Sequence, residues 1–356
     1  MDSLDLEEAL NLGRVQHLKL RDWLPKGRLP KNLDAVGFRL PDYHYAGSGD
    51  LVLFALYGED SLLFLDCGPA NMTDRSWFDR LIDTYVSTPE EARLYLTHFH
   101  FDHIGEAPWF VSRGVSAFGS KESLRLLDID PHGYATMVGA FRDTPIQGIE
   151  AYSWFQRSLV NYVPDVQMVE EGTRFECGTW RLKSIQLPGH AAGNSGLITE
   201  DRIVLFSGDS IASHPSVFAQ GLDNHDAAAA IDCWSMLRGF PLEWLITAHE
   251  GIFRGDEEID KVLIGQVNGL TTKANRVLDE LGSMNGYVTP CEFVEKHKGV
   301  ESVLVTASMG KYMNALNVQH YLALLEFLYD YEKLRRRFDD DGAVVYEPAR
   351  YRSFFA

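Results

Sequence analysis

The chain has 356 residues, 45% hydrophobic and 24% charged, with 51 acidic against 33 basic side chains and a formal net charge of -18. That length exceeds what one hydrophobic core supports, so one domain of about 200 to 250 residues plus a smaller one is expected. The charge opposes phosphate backbones and anionic lipid surfaces, which argues against nucleic-acid and membrane partners.

The N-terminal run MDSLDLEEALNLGRVQ is acidic and lacks a basic, then apolar, signal pattern, and no stretch approaches about 18 uninterrupted apolar residues. Cys67, Cys177, Cys233 and Cys291 lie far apart with no C-x-x-C pair. They read as reduced, buried thiols, and the protein as cytoplasmic. A homo-oligomer is compatible with everything in the sequence.

LVLFALY (51–57) and SLLFLDC (61–67) are apolar, strand-like runs joined by a Gly-Glu-Asp turn, and predict an early hairpin in a buried sheet. After a helical stretch, SWFDRLIDTYV, come ARLYLTHFH, RLKSIQLPGH, DRIVLFSGDS and EWLITAHEG, each a strand-like run ending in a turn. Helical segments such as DAAAAIDCWSMLRGF alternate with them, which indicates an α/β architecture. Each of the four runs delivers His or Asp where its strand stops: His98 and His100, His190, Asp209, His249. In α/β folds ligands collect at such carboxyl ends.

Residues 128–170 are rich in aromatics and poor in strand signal, and read as a helical insertion. As a lid or pocket wall it would offer Tyr134, Phe141, Trp154 and Phe155 to a small-molecule substrate, and His214 would line the pocket mouth. From Glu257 onward two long helical runs, a short one and a terminal hairpin (DDDGAVVYEPA) follow, an order that suggests a winged-helix-like module. Arg335, Arg336 and Arg337 read as the end of the last long helix, where cations face its negative pole. The boundary falls near residue 255, giving domains 1–255 and 256–356. From Glu257 onward there are 15 acidic and 12 basic residues, which is not the charge of a DNA reader.

Thr-His98-Phe-His100-Phe-Asp102-His103 places four potential ligands together. Neutral imidazoles suit zinc or iron, and a carboxylate adds negative charge. An H-x-H pair shares one side of an extended chain, and a tight turn after it can swing Asp102 and His103 to a second position. Neither G-x-S-x-G nor a P-loop motif occurs, so a serine hydrolase elbow and P-loop chemistry are absent.

THFHFDH, LPGHAAGN, FSGDS and TAHEG together resemble the metallo-β-lactamase-fold hydrolases, in particular the glyoxalase-II-like branch with two metals, over roughly residues 50 to 255. The resemblance implies a four-layer αβ/βα sandwich with the site along one edge, where the sheets meet. It implies a first metal held by His98, His100 and His190, a second by Asp102, His103 and His249, and Asp209 bridging them. It further implies two divalent ions, Zn2+ first with Fe or Mn as alternatives, and a bridging hydroxide that cleaves an ester, thioester or lactone. Asp102 would also orient the attacking water. Where glyoxalase II and lactonase members usually continue after PGH with a hydroxyl residue and a second Gly-His, this chain has Ala191, Ala192, Gly193 and Asn194. The competing readings in the same fold are an iron-dependent oxidoreductase, similar to the persulfide dioxygenases, and a nuclease.

Overall fold

The computed structural model describes residues 16–17, 30–39, 50–69, 75–123, 166–211, 217, 226–284, 286–296, 310–340 and 343–349. Among these, two sheets stack face to face. The first has seven strands in sequence order: β1 (Gln16–His17), β2 (Leu33–Arg39), β3 (Asp50–Gly58), β4 (Ser61–Leu65), β5 (Ala92–Leu96), β6 (Ser116–Ser120) and β7 (Gln167–Val169). Strands β1 to β4 pair antiparallel, and β4 to β7 are parallel. The second sheet has six strands in the order β13-β12-β11-β10-β9-β8. They are β8 (Arg174–Cys177), β9 (Trp180–Gln186), β10 (Ser195–Thr199), β11 (Val204–Phe206), β12 (Trp244–Ile246) and β13 (Ile252–Arg254). Only β11 and β12 pair parallel in it.

Strand alternation sends every second apolar residue to each face. Between the sheets, Phe54, Leu56, Leu63, Leu65 and Tyr95 meet Phe175, Leu182, Leu197, Phe206 and Ile246 in one buried cluster. The other face of the first sheet presents Leu53, Phe64 and Leu94 to α1 (Ser76–Tyr85), α2 (Phe101–Ile104) and α3 (Ala107–Ser112). There Phe64, Phe78 and Phe110 pack edge to face, with ring centroids 4.7 to 5.4 Å apart. The outer face of the second sheet is covered by α4 (Ala227–Leu237) and α5 (Asp256–Ser283). The result is the four-layer αβ/βα sandwich.

One residue, the N-cap Gly255 with φ +82°, separates β13 from helix α5. Asp256, Glu257 and Glu258 occupy its first turn, and Glu258 accepts from the Arg254 amide at 2.9 Å. Acidic groups there complement the positive helix end. After α6 (Pro290–Lys296) and α7 (Gly310–Asp330) the chain closes with the hairpin β14 (Leu334–Phe338) and β15 (Val344–Pro348). The order of three helices and a hairpin is the one the sequence suggests. Among the described residues, Phe293, Leu322, Leu325 and Tyr346 join the cluster that covers the second sheet.

Two expectations need correction. Arg335, Arg336 and Arg337 do not end the last helix, which stops at Asp330; they lie in β14. Extended backbone gives successive side chains different partners: Arg335 meets Glu347 at 3.5 Å, Arg336 pairs with buried Glu326 and lies over Tyr329, and Arg337 lies over Tyr287. The end of the expected helical insertion is also a strand, since Gln167–Val169 pairs parallel with β6. Residues 128–165 lie outside the described residues. Among the described residues, the four cysteines are free and buried, and no helix is long and apolar enough to cross a membrane.

Candidate metal centre

Five strands, β4, β5, β9, β11 and β12, hand over a polar side chain where their carboxyl ends reach one edge of the sandwich. Strand β4 stops at Leu65, and Asp66 takes the left-handed conformation, φ +58°. Its Oδ1 accepts the Thr97 amide at 2.8 Å, and its Oδ2 accepts both the Thr97 hydroxyl and Nδ1 of His103, each at 2.8 Å. The Thr97 hydroxyl, having given its proton to Asp66, accepts from His98 Nδ1 at 3.0 Å. Both rings are thereby fixed in the tautomer that turns Nε2 inward.

After β5, residues 97–100 leave the sheet and 101–104 form a single helical turn, with the amides of His103 and Ile104 donating to His100 O at 2.9 and 3.2 Å. That turn is how Asp102 and His103 reach a second position. His190 follows β9 in a loop closed by Asn194, whose Nδ2 donates to Leu187 O at 2.8 Å while its carbonyl accepts the Leu187 amide at 2.9 Å. Asn194 in AAGN is therefore the clasp of the His190 loop. Asp209 follows β11 past Gly208, φ +53°, where a Cβ would come within 2.8 Å of Thr97 Oγ1. His249 follows β12 in a turn whose Ala248 amide donates to Gly208 O at 3.2 Å. The two sheets are stitched at this edge by the Ser195 amide to Thr97 O, 3.0 Å, and Tyr95 Oη to Ser195 Oγ, 2.8 Å.

His98, His100, His190 and Asp209 form one group that could hold a metal ion, and Asp102, His103 and His249 form a second; within each, the donor atoms lie within 4.8 Å of one another. His98 Nε2 and His190 Nε2 approach His100 Nδ1 at 2.9 and 3.0 Å. In the other group His249 Nε2 is 3.4 Å from Asp102 Oδ2 and from His103 Nε2. Asp209 Oδ2 faces both, 3.4 Å from His190 Nε2, 3.9 Å from His98 Nε2, 3.3 Å from His103 Nε2 and 3.4 Å from His249 Nε2.

Burial and charge split the histidines the same way. Burial, reinforced by neighbouring imidazoles, pushes His98 well below its ordinary value, His100 down to about 3 and His190 down to about 4. Burial also works against the cation at His249, but Asp209 and Asp102 outweigh it and lift the ring to about 9; His103 is raised by Asp209, Asp102 and Asp66. Burial alone would raise both carboxyls, yet His103 and His249 hold Asp102 and Asp209 below the usual range. Three neutral imidazoles with converging nitrogens beside anionic carboxylates are a donor set for zinc or iron. Among the described residues, Asp209 Oδ1 is buried without a hydrogen-bond partner, a costly state for an anionic oxygen that a cation would relieve. The residues fit a metal.

All seven residues singled out in the sequence come together. Tyr134, Phe141, Trp154, Phe155 and His214 lie outside the described residues. Sequence reasoning missed Asp66, Thr97 and Asn194. For Asp66 the signal was available: FLDCG ends an apolar run in an acid, as FSGDS does.

The curated relatives point the same way over part of the chain. It is 29% identical over 117 residues to the hydroxyacylglutathione hydrolase GloC of Haemophilus influenzae, covering 33% of this chain and 48% of that one. It is 24% identical over 163 residues to the metallo-beta-lactamase fold-containing protein ST1585 of Sulfurisphaera tokodaii, 46% of this chain and 57% of the other. The chain thus spans about half the length of the curated relatives it matches. Two solved structures share the fold at 17% identity and a TM-score of 0.70. One is the metallo-beta-lactamase family protein TTHA1429 of Thermus thermophilus, covering 90% of this chain and 100% of that one. The other is a beta-lactamase domain protein of Burkholderia ambifaria, covering 93% and 97%. The model of the Metallo-beta-lactamase superfamily matches residues 45–249, more than half of the sequence, and the chain belongs to that superfamily.

Proposed function

We propose that the protein is a binuclear metal-dependent hydrolase acting on an ester, thioester or lactone. The observation that carries this reading is the position of Asp209 Oδ2, 3.3 to 3.9 Å from ring nitrogens of both histidine groups. In it His98, His100 and His190 would hold one divalent ion, Asp102, His103 and His249 would hold the other, and Asp209 would serve both, with Zn2+ as the ion and Fe or Mn as the alternatives. When bound, such a pair supplies Lewis-acid charge that makes water nucleophilic near neutral pH and polarises a carbonyl.

The chain's own residues do the rest. Asp102 is buried and anionic, and its carboxylate would accept a hydrogen bond from the attacking water and so aim it. Asp66 keeps His103 from rotating, and Thr97 does the same for His98. The likeness to the hydroxyacylglutathione hydrolase of Haemophilus influenzae supports a thioester within the proposed class. The C-terminal elements form a winged-helix-like module that shapes access to the site.

The test is elemental analysis of protein purified without chelators, combined with turnover of lactone, thioester, aryl ester and phosphodiester substrates. Zinc near two per chain and an acyl-bond activity that His100→Ala lowers by about a hundredfold or more are expected. Trace metal only, or unchanged hydrolysis in that variant, would sink the proposal. Iron with oxygen consumption would favour the oxidoreductase reading, and cleavage of single-stranded RNA the nuclease.

A further inference from the structure

His320 lies on α7, in a part of the chain that, among the described residues, gives no side chain to the histidine cluster, and it is 1% exposed. Its Nδ1 is 2.9 Å from the carbonyl oxygen of Val217. A carbonyl can only accept, so Nδ1 carries the hydrogen. Burial, with Lys273 on α5 adding to it, pushes the imidazole down to about 3, so the ring donates as a neutral group at neutral pH.

Val217 is fully buried and sits behind the turn that presents His190. Gly189, immediately before His190, has φ +121°; a Cβ there would lie 3.2 Å from Val217 Cγ1 and 2.6 Å from Ala230 Cβ. The turn is therefore seated against Val217 and α4 with no spare room. Helix α4 also donates Trp234 Nε1 to Ser210 O at 3.0 Å, directly after Asp209, and α5 and α7 pack on α4. His190 Nε2 must meet His100 Nδ1 at 3.0 Å and Asp209 Oδ2 at 3.4 Å. Sites of this kind tolerate displacements of only about 0.5 Å.

We propose that His320 is a positioning residue for the metal centre: its hydrogen bond to the Val217 carbonyl seats Val217 against Gly189 and so sets the direction of the His190 ring. The inference rests on the metal-centre reading of the histidine cluster. Without the donor, the Val217 carbonyl would lose this hydrogen bond, and Val217 would shift to recover one. The C-terminal region would thus tune affinity at a centre it does not ligate.

The experiment titrates metal-free, full-length protein with Zn2+ alone against a chromophoric chelator. His320→Leu removes the donor. His320→Asn keeps an N–H at the atom bonded to Cγ, where Nδ1 sits, and His320→Gln moves it one carbon further. Leu328→Ala, at a fully buried position on the same helix, supplies a stability control. Expected are a loss of Zn2+ affinity of about tenfold for His320→Leu and His320→Gln, and an Asn variant within about twofold of wild type. The Leu328→Ala protein should melt earlier but bind Zn2+ as wild type does. Wild-type affinity in His320→Gln or His320→Leu, or equal weakening by Leu328→Ala, would overturn the proposal. No Zn2+ binding by the wild type would instead overturn the metal-centre reading, and the inference with it.

Discussion

Replacing Asp66 with Asn preserves the size of the side chain but not its role. The carboxylate accepts three hydrogen bonds from Thr97 and His103. An amide must put its NH2 in place of one oxygen: at Oδ1 it faces the Thr97 amide, at Oδ2 it faces both the Thr97 hydroxyl and His103 Nδ1, and in either case His103 loses the carboxylate that held it. The fold keeps its packing, but the His103 ring is no longer held with Nε2 toward Asp209. Asp66→Asn is expected to lower Zn2+ affinity by about 10- to 100-fold, read by chelator competition, with little change in circular dichroism. At this scale the sequence was informative where residues crowd and silent where one acts alone. His98, His100, Asp102 and His103 announce themselves by density. Asp66 is one acid after a strand, and only the left-handed turn that folds it back over Thr97 and His103 reveals its use.

Among elements, the strands legible in the sequence are those with long apolar runs and a clear stop, such as β3, β4 and the body of β9. The three-residue strands β7 and β13 are too short to show a period, and what fixes them is pairing with β6 and β12. The Arg335 to Arg337 run was misplaced because basic residues at the foot of a helical pattern read as its natural end. What decides the matter is tertiary: Glu326 on α7, 1% exposed, takes both Arg336 and the Tyr346 hydroxyl, which ties the hairpin across the helix. Glu326→Ala leaves Arg336 without its carboxylate and Tyr346 without its acceptor. A loss of about 3 kcal/mol is expected in denaturant unfolding, while Glu326→Gln, which can still accept from Tyr346, should lose less.

For the molecule as a whole, acid resistance depends on histidines that fold neutral. His320 has a folded-state value of about 3, against an ordinary 6.5. Between those values the unfolded chain binds a proton that the native chain does not, so stability is lost as pH falls from about 6.5 toward 3. The contribution has a slope of up to about 1.4 kcal/mol per pH unit. Comparing urea midpoints of metal-free wild type and His320→Asn between pH 7 and pH 4 isolates it from the other buried histidines, and the variant should show the shallower decline. A pair of parallel pH profiles would refute this assignment.

The strand polarity of the sandwich also sorts the surface into two poles. The carboxyl ends of β4, β5, β9, β11 and β12 carry the histidines and aspartates, and the turn from β3 to β4, at Glu59 and Asp60, opens from the other end of β4. At about 3.3 Å per strand residue, the five residues of β4 separate that exposed turn from Asp66 by about 17 Å. A tether attached at Asp60 would leave the opposite pole facing solution, so the protein could be mounted on a surface in a single productive orientation.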